Sequence, residues 1–238
     1  MLKAVLFDVD DTLFDHRYSS RSALAALQQK YPSHLSMVPL DEIEAHNLRI
    51  LNEIHIDVLA GSLSIDNARA KRFATLLGIY GMSLSPEESL TVGGWYRAQY
   101  EASWRATPGA TMVLEALRNR GITVGVVTNN LVAEQTQKLE QCGLAPLVDS
   151  VTISEEAGCT KPDERIFQIA LERVKSAPQQ ALMVGDSWNN DIIGARNAGI
   201  QAIWYNCYNE PSPDVRVPQV TSLSELHAAI NAIVEMGS

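Results

Sequence analysis

The stretch that decides the fold is VLFDVDDTLF, residues 5–14 of a 238-residue chain. It opens with apolar residues that suit a buried strand, and three aspartates, Asp8, Asp10 and Asp11, then fall within four positions. Carboxylates so close together repel, since two unit charges about 5 Å apart cost roughly 3 kcal/mol at an effective dielectric constant of about 20. A cation or a cationic side chain must therefore offset the charge at the end of this strand.

Short apolar runs recur along the chain and alternate with helical patterns. After the first run at residues 4–7, the others lie at residues 122–130, 147–154, 181–187 and 201–206. Between them, apolar residues recur at helical spacing and are followed by glycines that suit helix C-caps, such as Gly121 and Gly199. Alternation of this kind is typical of a parallel sheet covered on both faces. We predict an α/β fold with a central parallel sheet.

One long segment breaks this alternation directly after the first strand. From about residue 15 to residue 104 the chain shows helical patterns and no convincing strand. We therefore predict two domains: an α/β core of residues 1–15 and 105–238, and an inserted helical domain of residues 16–104.

An aromatic stripe lies near the end of the helical segment. Tyr96, Tyr100 and Trp104 recur every four positions and so share one face of a helix. Packing against neighbouring helices is the favoured interpretation. Stacking on a nucleobase or another flat group is the alternative.

The composition restricts the class of ligand. The net charge is −9, from 28 acidic and 19 basic residues, which argues against a nucleic-acid polymer as partner. A small phosphorylated substrate stays compatible, because a local positive pocket can lie in an acidic protein. No apolar run reaches the roughly 20 residues that a membrane helix needs, and the first residues do not form a signal peptide. We expect a cytoplasmic protein without a membrane partner, and the sequence leaves its oligomeric state open.

Polar side chains follow the predicted strands where each strand ends. Ligands of open parallel sheets bind at this carboxyl edge, so these side chains are expected to converge. They are Asp8, Asp10, Thr128, Asn129, Asn130, Lys161, Asp186 and Asp191. Carboxylate oxygens are typical ligands of Mg²⁺, and a cation beside a lysine makes a place for a phosphate group. Thr128 and nearby backbone N–H groups suit the phosphate oxygens.

Four motifs in order resemble those of the haloacid dehalogenase-like hydrolase superfamily, in its subgroup with a helical cap after the first strand. The motifs are the DVDDT stretch of residues 8–12, Thr128 at a strand end, Lys161 followed by proline, and GDSWNND at residues 185–191. The resemblance spans essentially the whole chain. It implies a Rossmann-like three-layer core with an inserted helical cap. Within the superfamily, the chain resembles most the pyrimidine nucleotidase-like and phosphoglycolate phosphatase-like enzymes.

The resemblance also implies a role for each matched residue. Asp8 is the expected nucleophile that carries an aspartyl-phosphate, and Asp10 is the expected general acid and base. Mg²⁺ is the implied cofactor. Its implied ligands are the side chains of Asp8 and Asp186 and the backbone carbonyl of Asp10. Asp191 is expected to orient Lys161 or a metal-bound water.

The implied phosphate ligands are Thr128, Asn129 and Lys161. For Asn129 and Asn130 two interpretations stay open: backbone contacts to phosphate, or capping of the following helix. Asp11 is expected to stabilise the turn rather than to act in catalysis.

The resemblance favours one activity and leaves alternatives. Dehalogenases of this superfamily lack an acid–base aspartate two residues after the nucleophile, and this chain has Asp10 in that place. We therefore predict an Mg²⁺-dependent phosphomonoester hydrolase acting on a small phosphorylated metabolite, with a nucleoside monophosphate as one candidate. A sugar phosphomutase fits the same motifs. A non-catalytic regulatory or binding protein is the alternative from another class, although the three metal-site aspartates are intact.

Overall fold

The chain folds into two compact units. A computed structural model describes residues 1–59 and 62–236, with side chains placed for all of them except 55, 56, 58, 59 and 231–236. One unit, the α/β unit, comprises Met1–His16 and Arg105–Ser238, and the other, the helical unit, comprises Arg17–Trp104.

The α/β unit is built on one parallel sheet. Its strands are β1 (Ala4–Phe7), β2 (Thr123–Thr128), β3 (Ser150–Ile153), β4 (Ala181–Gly185), β5 (Gln201–Tyr205) and β6 (Gln219–Val220). They lie in the order β3-β2-β1-β4-β5-β6, and every neighbouring pair is parallel. All four residues of β1 and all five of β4 are buried, as expected of central strands with both faces covered. The prediction of an α/β fold around a parallel sheet is confirmed.

Helices cover the two faces of this sheet. In the α/β unit, the helices after the insertion are α6 (Ala110–Asn119), α7 (Val132–Gln141), α8 (Ser154–Ala157), α9 (Glu164–Arg173), α10 (Gly194–Asn197) and α11 (Leu223–Met236). The buried side chains of α9, including Ile166 and Phe167, pack in one cluster with Leu6 and Met183 from the sheet. The two-residue strand β6 lies in a proline-rich stretch and matches none of the apolar runs from which strands are predicted.

The helix expected before Gly199 differs from a regular α-helix in its first turn. Residues 188–193 form a π-helical turn, and α10 continues it. The backbone N–H of Ile192 reaches the carbonyl oxygen of Ser187 over 3.3 Å, which is the wider hydrogen-bond pattern of this turn. Such turns are frequent at functional sites, and this one carries Asp191.

The helical unit contains no strand among its described residues. Its helices are α1 (His16–Lys30), whose first residue belongs to the α/β unit, α2 (Pro32–Leu35), α3 (Leu40–Leu59), α4 (Ile65–Ile79) and α5 (Pro86–Ala102). Helix α5 begins with a reciprocal capping box between Ser85 and Glu88 and has proline in its first turn.

Two residues of the aromatic stripe, Tyr96 and Tyr100, lie on α5 inside the helical unit, whereas α5 ends at Ala102 and Trp104 lies beyond it, so the prediction of one shared helix face is wrong for Trp104. Tyr96 and Tyr100 are buried, and the Tyr96 ring lies 4.3 Å from the Phe73 ring of α4, centroid to centroid. Tyr100 meets Trp104 edge-on at 5.8 Å. These contacts favour the packing interpretation of the stripe. In the described part of the chain, no helix combines the length and apolar character that a membrane crossing requires.

Candidate active site

The sheet order explains how distant motifs meet. Strands β2, β1 and β4 are neighbours, so Thr128 at the end of β2 and Asp8 and Asp186 just after β1 and β4 share the carboxyl edge. The backbone N–H of Asp8 donates to the carbonyl oxygen of Val184 over 3.0 Å and extends the pairing of β1 with β4 by one residue. The backbone thus delivers these side chains to one place.

Lys161 is the centre of a buried charge cluster at this edge. Its ammonium group lies 2.5 Å from Asp8 Oδ1 and 2.6 Å from Asp191 Oδ1. All three residues are buried. Burial alone would lower the pKa of Lys161, but the two carboxylates raise it above its usual value, so the lysine stays charged.

Asp191 is fixed by the π-helical turn and by a glycine. Its Oδ2 accepts the backbone N–H of Ser187 over 2.9 Å, while Oδ1 accepts Lys161. A Cβ on Gly185 would clash with this carboxylate, so only glycine at the end of β4 admits the side chain. The geometry agrees with a role for Asp191 in orienting Lys161, and that role stays a prediction.

Asp8, Asp186 and Asp191 form an acidic group that fits a hard cation. Each offers a carboxylate oxygen within 4.8 Å of the others. Burial, together with Asp8 and Asp191, raises the pKa of Asp186 to about 9. Burial also raises the pKa of Asp8 to about 7, against the opposing effect of Lys161. Three carboxyl groups thus share one ammonium group, and the raised pKa values show that a second cation is needed to keep all three deprotonated. A hard cation with oxygen ligands, such as Mg²⁺, suits that requirement.

Asp186 is positioned by two neutral partners. The Thr12 hydroxyl accepts the backbone N–H of Asp186 over 3.1 Å, and the Trp204 indole N–H donates to the Asp186 carbonyl oxygen over 2.7 Å. Trp188, next to the site in sequence, meets Trp204 edge-on at 5.1 Å. Thr12 thus holds the backbone that carries Asp186.

Asp10 has a separate set of partners, two on α7 and one, Asn130, just before that helix. Lys138 Nζ lies 2.6 Å from Asp10 Oδ1, and Gln135 Nε2 lies 2.8 Å from Oδ2. Asn130 Nδ2 reaches Oδ2 over 3.3 Å. Burial would raise the pKa of Asp10, but Lys138 and the other donors outweigh it and hold the pKa below its usual value. The acid–base candidate and the nucleophile candidate each lie beside a lysine, but their pKa values shift in opposite directions.

The turn after β1 makes this separation possible. Asp11 adopts a left-handed conformation with φ +59°. The Val9 carbonyl oxygen accepts three backbone N–H groups, and Asp11 N–H donates to the Phe14 carbonyl oxygen over 2.8 Å. The Asp11 side chain is hydrogen-bonded to the Tyr208 hydroxyl. These contacts agree with the turn role expected of Asp11.

The phosphate-ligand candidates Thr128 and Asn129 are also fixed. The Thr128 hydroxyl oxygen accepts Gln135 Nε2 over 3.0 Å, which leaves its own proton available to donate. Both ends of the Asn129 side-chain amide bind the backbone of Lys161. The amide N–H donates to the Lys161 carbonyl oxygen over 2.9 Å, and the amide oxygen accepts the Lys161 N–H over 2.7 Å. Asn129 therefore holds the Lys161 segment against the end of β2.

The capping interpretation of Asn129 and Asn130 is wrong. The N-cap residue of α7 is Leu131, whose side chain makes no capping hydrogen bond. The Glu155 carboxylate instead accepts the backbone N–H of Val132 over 2.7 Å. Of the N–H groups that the structure describes, Asn130 Oδ1 accepts only that of Leu131 itself, over 2.8 Å. The backbone contact to phosphate stays the prediction for Asn129 and Asn130.

Sequence reasoning missed Gln135 and Lys138. They lie three positions apart on α7 and share its buried face with Leu139. The signal was Leu139, which marks the buried face: Gln135 lies four positions before it on the same side of the helix, and Lys138 lies three positions after Gln135. The contact of Tyr208 with Asp11 was also missed, and no sequence motif in the loop after β5 indicates it.

Comparison with known proteins agrees with this geometry. A model of the haloacid dehalogenase-like hydrolase family matches residues 2–199. The glyceraldehyde 3-phosphate phosphatase of Methanothermobacter thermautotrophicus is 34% identical over 211 residues, which cover 87% of this chain and 86% of that protein. The pyrimidine 5'-nucleotidase YjjG of Escherichia coli is 30% identical over 225 residues, covering 93% and 95%.

A solved structure extends the likeness to the fold. The magnesium-bound crystal structure of the HAD-hydrolase YfnB from Bacillus subtilis aligns with a TM-score of 0.74 at 26% identity, covering 97% of this chain and 99% of that one. The resemblance inferred from the four motifs is confirmed. This chain belongs to the haloacid dehalogenase-like hydrolase family.

Proposed function

We propose that the protein is an Mg²⁺-dependent phosphomonoester hydrolase that acts on a small phosphorylated metabolite through an aspartyl-phosphate on Asp8. The observation that carries the proposal is the cluster of Lys161 between Asp8 and Asp191, with Asp186 beside it at the carboxyl edge. It combines a candidate nucleophile, a cation for the phosphoryl oxygens and free oxygen donors for a metal. The names of the two relatives, one a sugar-phosphate phosphatase and one a nucleotidase, support the same reaction class.

The residues divide two steps between them. In the first, an Asp8 oxygen attacks phosphorus, the bond between phosphorus and the ester oxygen breaks, and Asp10 gives its proton to the leaving alcohol. In the second, water attacks the same phosphorus, Asp10 takes a proton from that water, and the bond between phosphorus and the Asp8 oxygen breaks. With both oxygens held by donors and its pKa lowered, Asp10 has the deprotonated form that accepts the proton of the water in the second step. Its side chain is 29% exposed, so solvent can supply the proton that it gives in the first step.

Asp8 and Asp186 would hold the metal by their side chains and Asp10 by its backbone carbonyl. Mg²⁺ bound there would supply positive charge that screens the anionic nucleophile from the anionic substrate. Lys161, the Thr128 hydroxyl and the Asn129 backbone N–H would bind the phosphoryl oxygens.

The substrate belongs to the class of small phosphorylated metabolites in this proposal. Nucleoside monophosphates and triose phosphates are the first candidates, because proteins named for these activities align over most of their length. The proposal retains the helical segment, residues 16–104, as a separate cap domain. Asp10 supports a phosphatase over a dehalogenase. A dehalogenase releases a halide ion, so Asp10 would have no leaving alcohol to protonate.

The test is inorganic phosphate release, with Mg²⁺ and with a chelator, from a panel of phosphorylated compounds. The panel holds pyrimidine and purine mononucleotides, glyceraldehyde 3-phosphate, sugar phosphates and phosphoglycolate. We expect Mg²⁺-dependent release from at least one class, and none from an Asp8→Asn protein purified in parallel. Equal release by Asp8→Asn would refute the role of the nucleophile. Halide release from 2-haloacids without any phosphate release would replace the proposed function by a dehalogenase.

A further inference from the structure

We propose that Gln135 and Lys138 of α7 are positioning residues that hold the Asp10 carboxylate for proton transfer, and that Gln135 couples it to the phosphate anchor Thr128. This inference rests on the proposed function and deepens it. It concerns two residues outside the four motifs, on a helix that carries no predicted site residue.

The two side chains fix both oxygens of one carboxylate. Lys138 donates to Oδ1 at 2.6 Å and Gln135 donates to Oδ2 at 2.8 Å, so rotation of the Asp10 carboxylate about its last bond breaks one contact or both. Lys138 also lies 5.0 Å from the centre of the Phe14 ring, which is fully buried in the turn that follows Asp10. One lysine thus contacts both the carboxylate and the turn that carries it.

Gln135 connects two functional side chains through a single amide nitrogen. Its Nε2 donates to Asp10 Oδ2 and to the Thr128 hydroxyl oxygen, which lies 3.0 Å away. Reversing the amide would place its oxygen against the Asp10 carboxylate, so only one orientation is compatible with that charge. Because Thr128 accepts from Gln135, its own proton points to another acceptor, which is the place expected for a phosphoryl oxygen.

The burial of both residues is hard to explain by stability alone. Lys138 and Gln135 are both almost fully buried, with exposures of 2% and 0%. The Gln135 Oε1 atom is buried and has no hydrogen-bond partner among the described residues. A buried polar atom without a partner destabilises the fold, and an apolar residue beside Leu139 would avoid that cost. The arrangement is therefore better explained by what it does for Asp10.

The test separates positioning of the acid from general damage to the site. We compare kcat/KM for an alkyl phosphate with that for p-nitrophenyl phosphate, in Lys138→Met and Gln135→Met proteins. The alkyl alcohol needs a proton to leave, whereas p-nitrophenolate leaves without one, and kcat/KM reports only the steps through departure of the leaving group. We expect the alkyl value to fall by about 30- to 100-fold and the aryl value by less than about 3-fold.

Reference variants define the two extremes. Asp10→Asn should show the same selective loss, and Lys138→Arg should recover part of the alkyl activity because it restores a cationic donor. Glu140→Gln, on the exposed side of the same helix, should leave both values unchanged. Thermal melting of each variant confirms that the compared proteins are folded, and Gln135→Met serves alone if Lys138→Met does not fold.

Two results would overturn the inference. Equal losses with the two substrates would show general structural damage, and unchanged alkyl activity in both methionine variants would show that Asp10 needs no support from α7. If the unaltered protein released no phosphate with Mg²⁺ from these two esters or from any compound of the metabolite panel, the proposed function itself would fail, and the positioning role would fail with it.

Discussion

A buried lysine in the α/β unit and a half-buried arginine in the helical unit have opposite surroundings. In the α/β unit, Lys161 lies between the carboxylates of Asp8 and Asp191. In the helical unit, the half-buried Arg72 has its guanidinium over the rings of Phe73 and Tyr96, with centroid distances of 4.7 and 5.2 Å. Its Nε is buried without a hydrogen-bond partner, and no ion pair joins Arg72 to a carboxylate in the described part of the chain.

The difference indicates separate roles for the two cationic side chains. Around Lys161 the opposite charges are mutually dependent, so removing one leaves the others uncompensated. Around Arg72 the aromatic faces provide a weaker attraction, and burial lowers the pKa of the arginine. We interpret the first arrangement as a site for chemistry and the second as packing, and the following predictions test that distinction.

The largest effect is expected for Lys161→Met. It leaves two buried carboxylates without their shared cation, so the free energy of unfolding should fall by about 3–5 kcal/mol. Urea unfolding in the absence of metal measures it. Lys71→Met is the matched control, because Lys71 is exposed and paired with Asp57 in the helical unit, and it should cost less than about 1 kcal/mol. Similar losses in the two variants would contradict the distinction.

The next effect concerns metal and pH together. Asp8 and Asp186 have raised pKa values in the folded protein, so between the unfolded and folded values the folded state binds more protons. Without metal, stability should therefore fall as pH rises towards alkaline values. Mg²⁺ binds the deprotonated carboxylates and should add about 2–3 kcal/mol at a hundredfold excess over its Kd.

Thermal melting at about pH 6 and about pH 8.5, with Mg²⁺ or a chelator, measures this effect. The stabilisation by Mg²⁺ should be larger at the higher pH and should be largely absent in Asp186→Asn. Equal stabilisation at the two pH values, or full stabilisation in Asp186→Asn, would show that Mg²⁺ does not bind at this cluster.

A smaller effect is expected in the helical unit for Tyr96→Phe. The Tyr96 hydroxyl is 3.1 Å from the Ser20 hydroxyl, and losing this hydrogen bond should cost about 1 kcal/mol of unfolding free energy. Urea unfolding measures it. Tyr96→Leu should cost more, since it also removes a ring that faces Arg72. A Tyr96→Leu protein as stable as Tyr96→Phe would mean that this ring contributes nothing to the packing of Arg72.

The smallest effect is expected for Arg72→Met. An apolar side chain of similar length loses the cation–π contact but also removes a charge that has no carboxylate partner, so stability should change by less than about 1 kcal/mol in either direction. The KM for phosphorylated substrates should stay unchanged within about twofold if Arg72 serves packing alone. A large rise in KM would instead assign Arg72 to an anionic group of the substrate.

The sequence predicts the sheet and its polar edge because both follow from short-range patterns. Four strands are near-continuous apolar runs, and residues at strand ends such as Asp8, Thr128 and Asp186 need only the parallel-sheet rule to be brought together. The roles given to these residues came from the family resemblance and stay predictions. The helical pattern of residues 16–104 was equally visible, since no strand pattern interrupts it, and its assignment to a separate cap domain stays a prediction.

What the sequence did not reveal depends on tertiary contacts. Gln135 and Lys138 look like an ordinary polar face of α7 until Asp10 lies opposite them. The π-helical turn that aims Asp191 at Lys161 has no sequence signature, and Gly185 looks like any glycine after a strand until the Asp191 carboxylate fills its space.

The central claim is that Asp8 carries the phosphoryl group, and trapping the phosphoenzyme tests it most directly. The protein is mixed with Mg²⁺ and the best substrate of the panel, quenched in acid within the first turnover and digested, and the peptides are analysed by mass spectrometry. We predict a phosphorylated Asp8 in the unaltered protein and none in Asp8→Asn. Substrate turnover with no phosphorylated Asp8 at any quench time, or with the phosphoryl group on another residue, would contradict the claim.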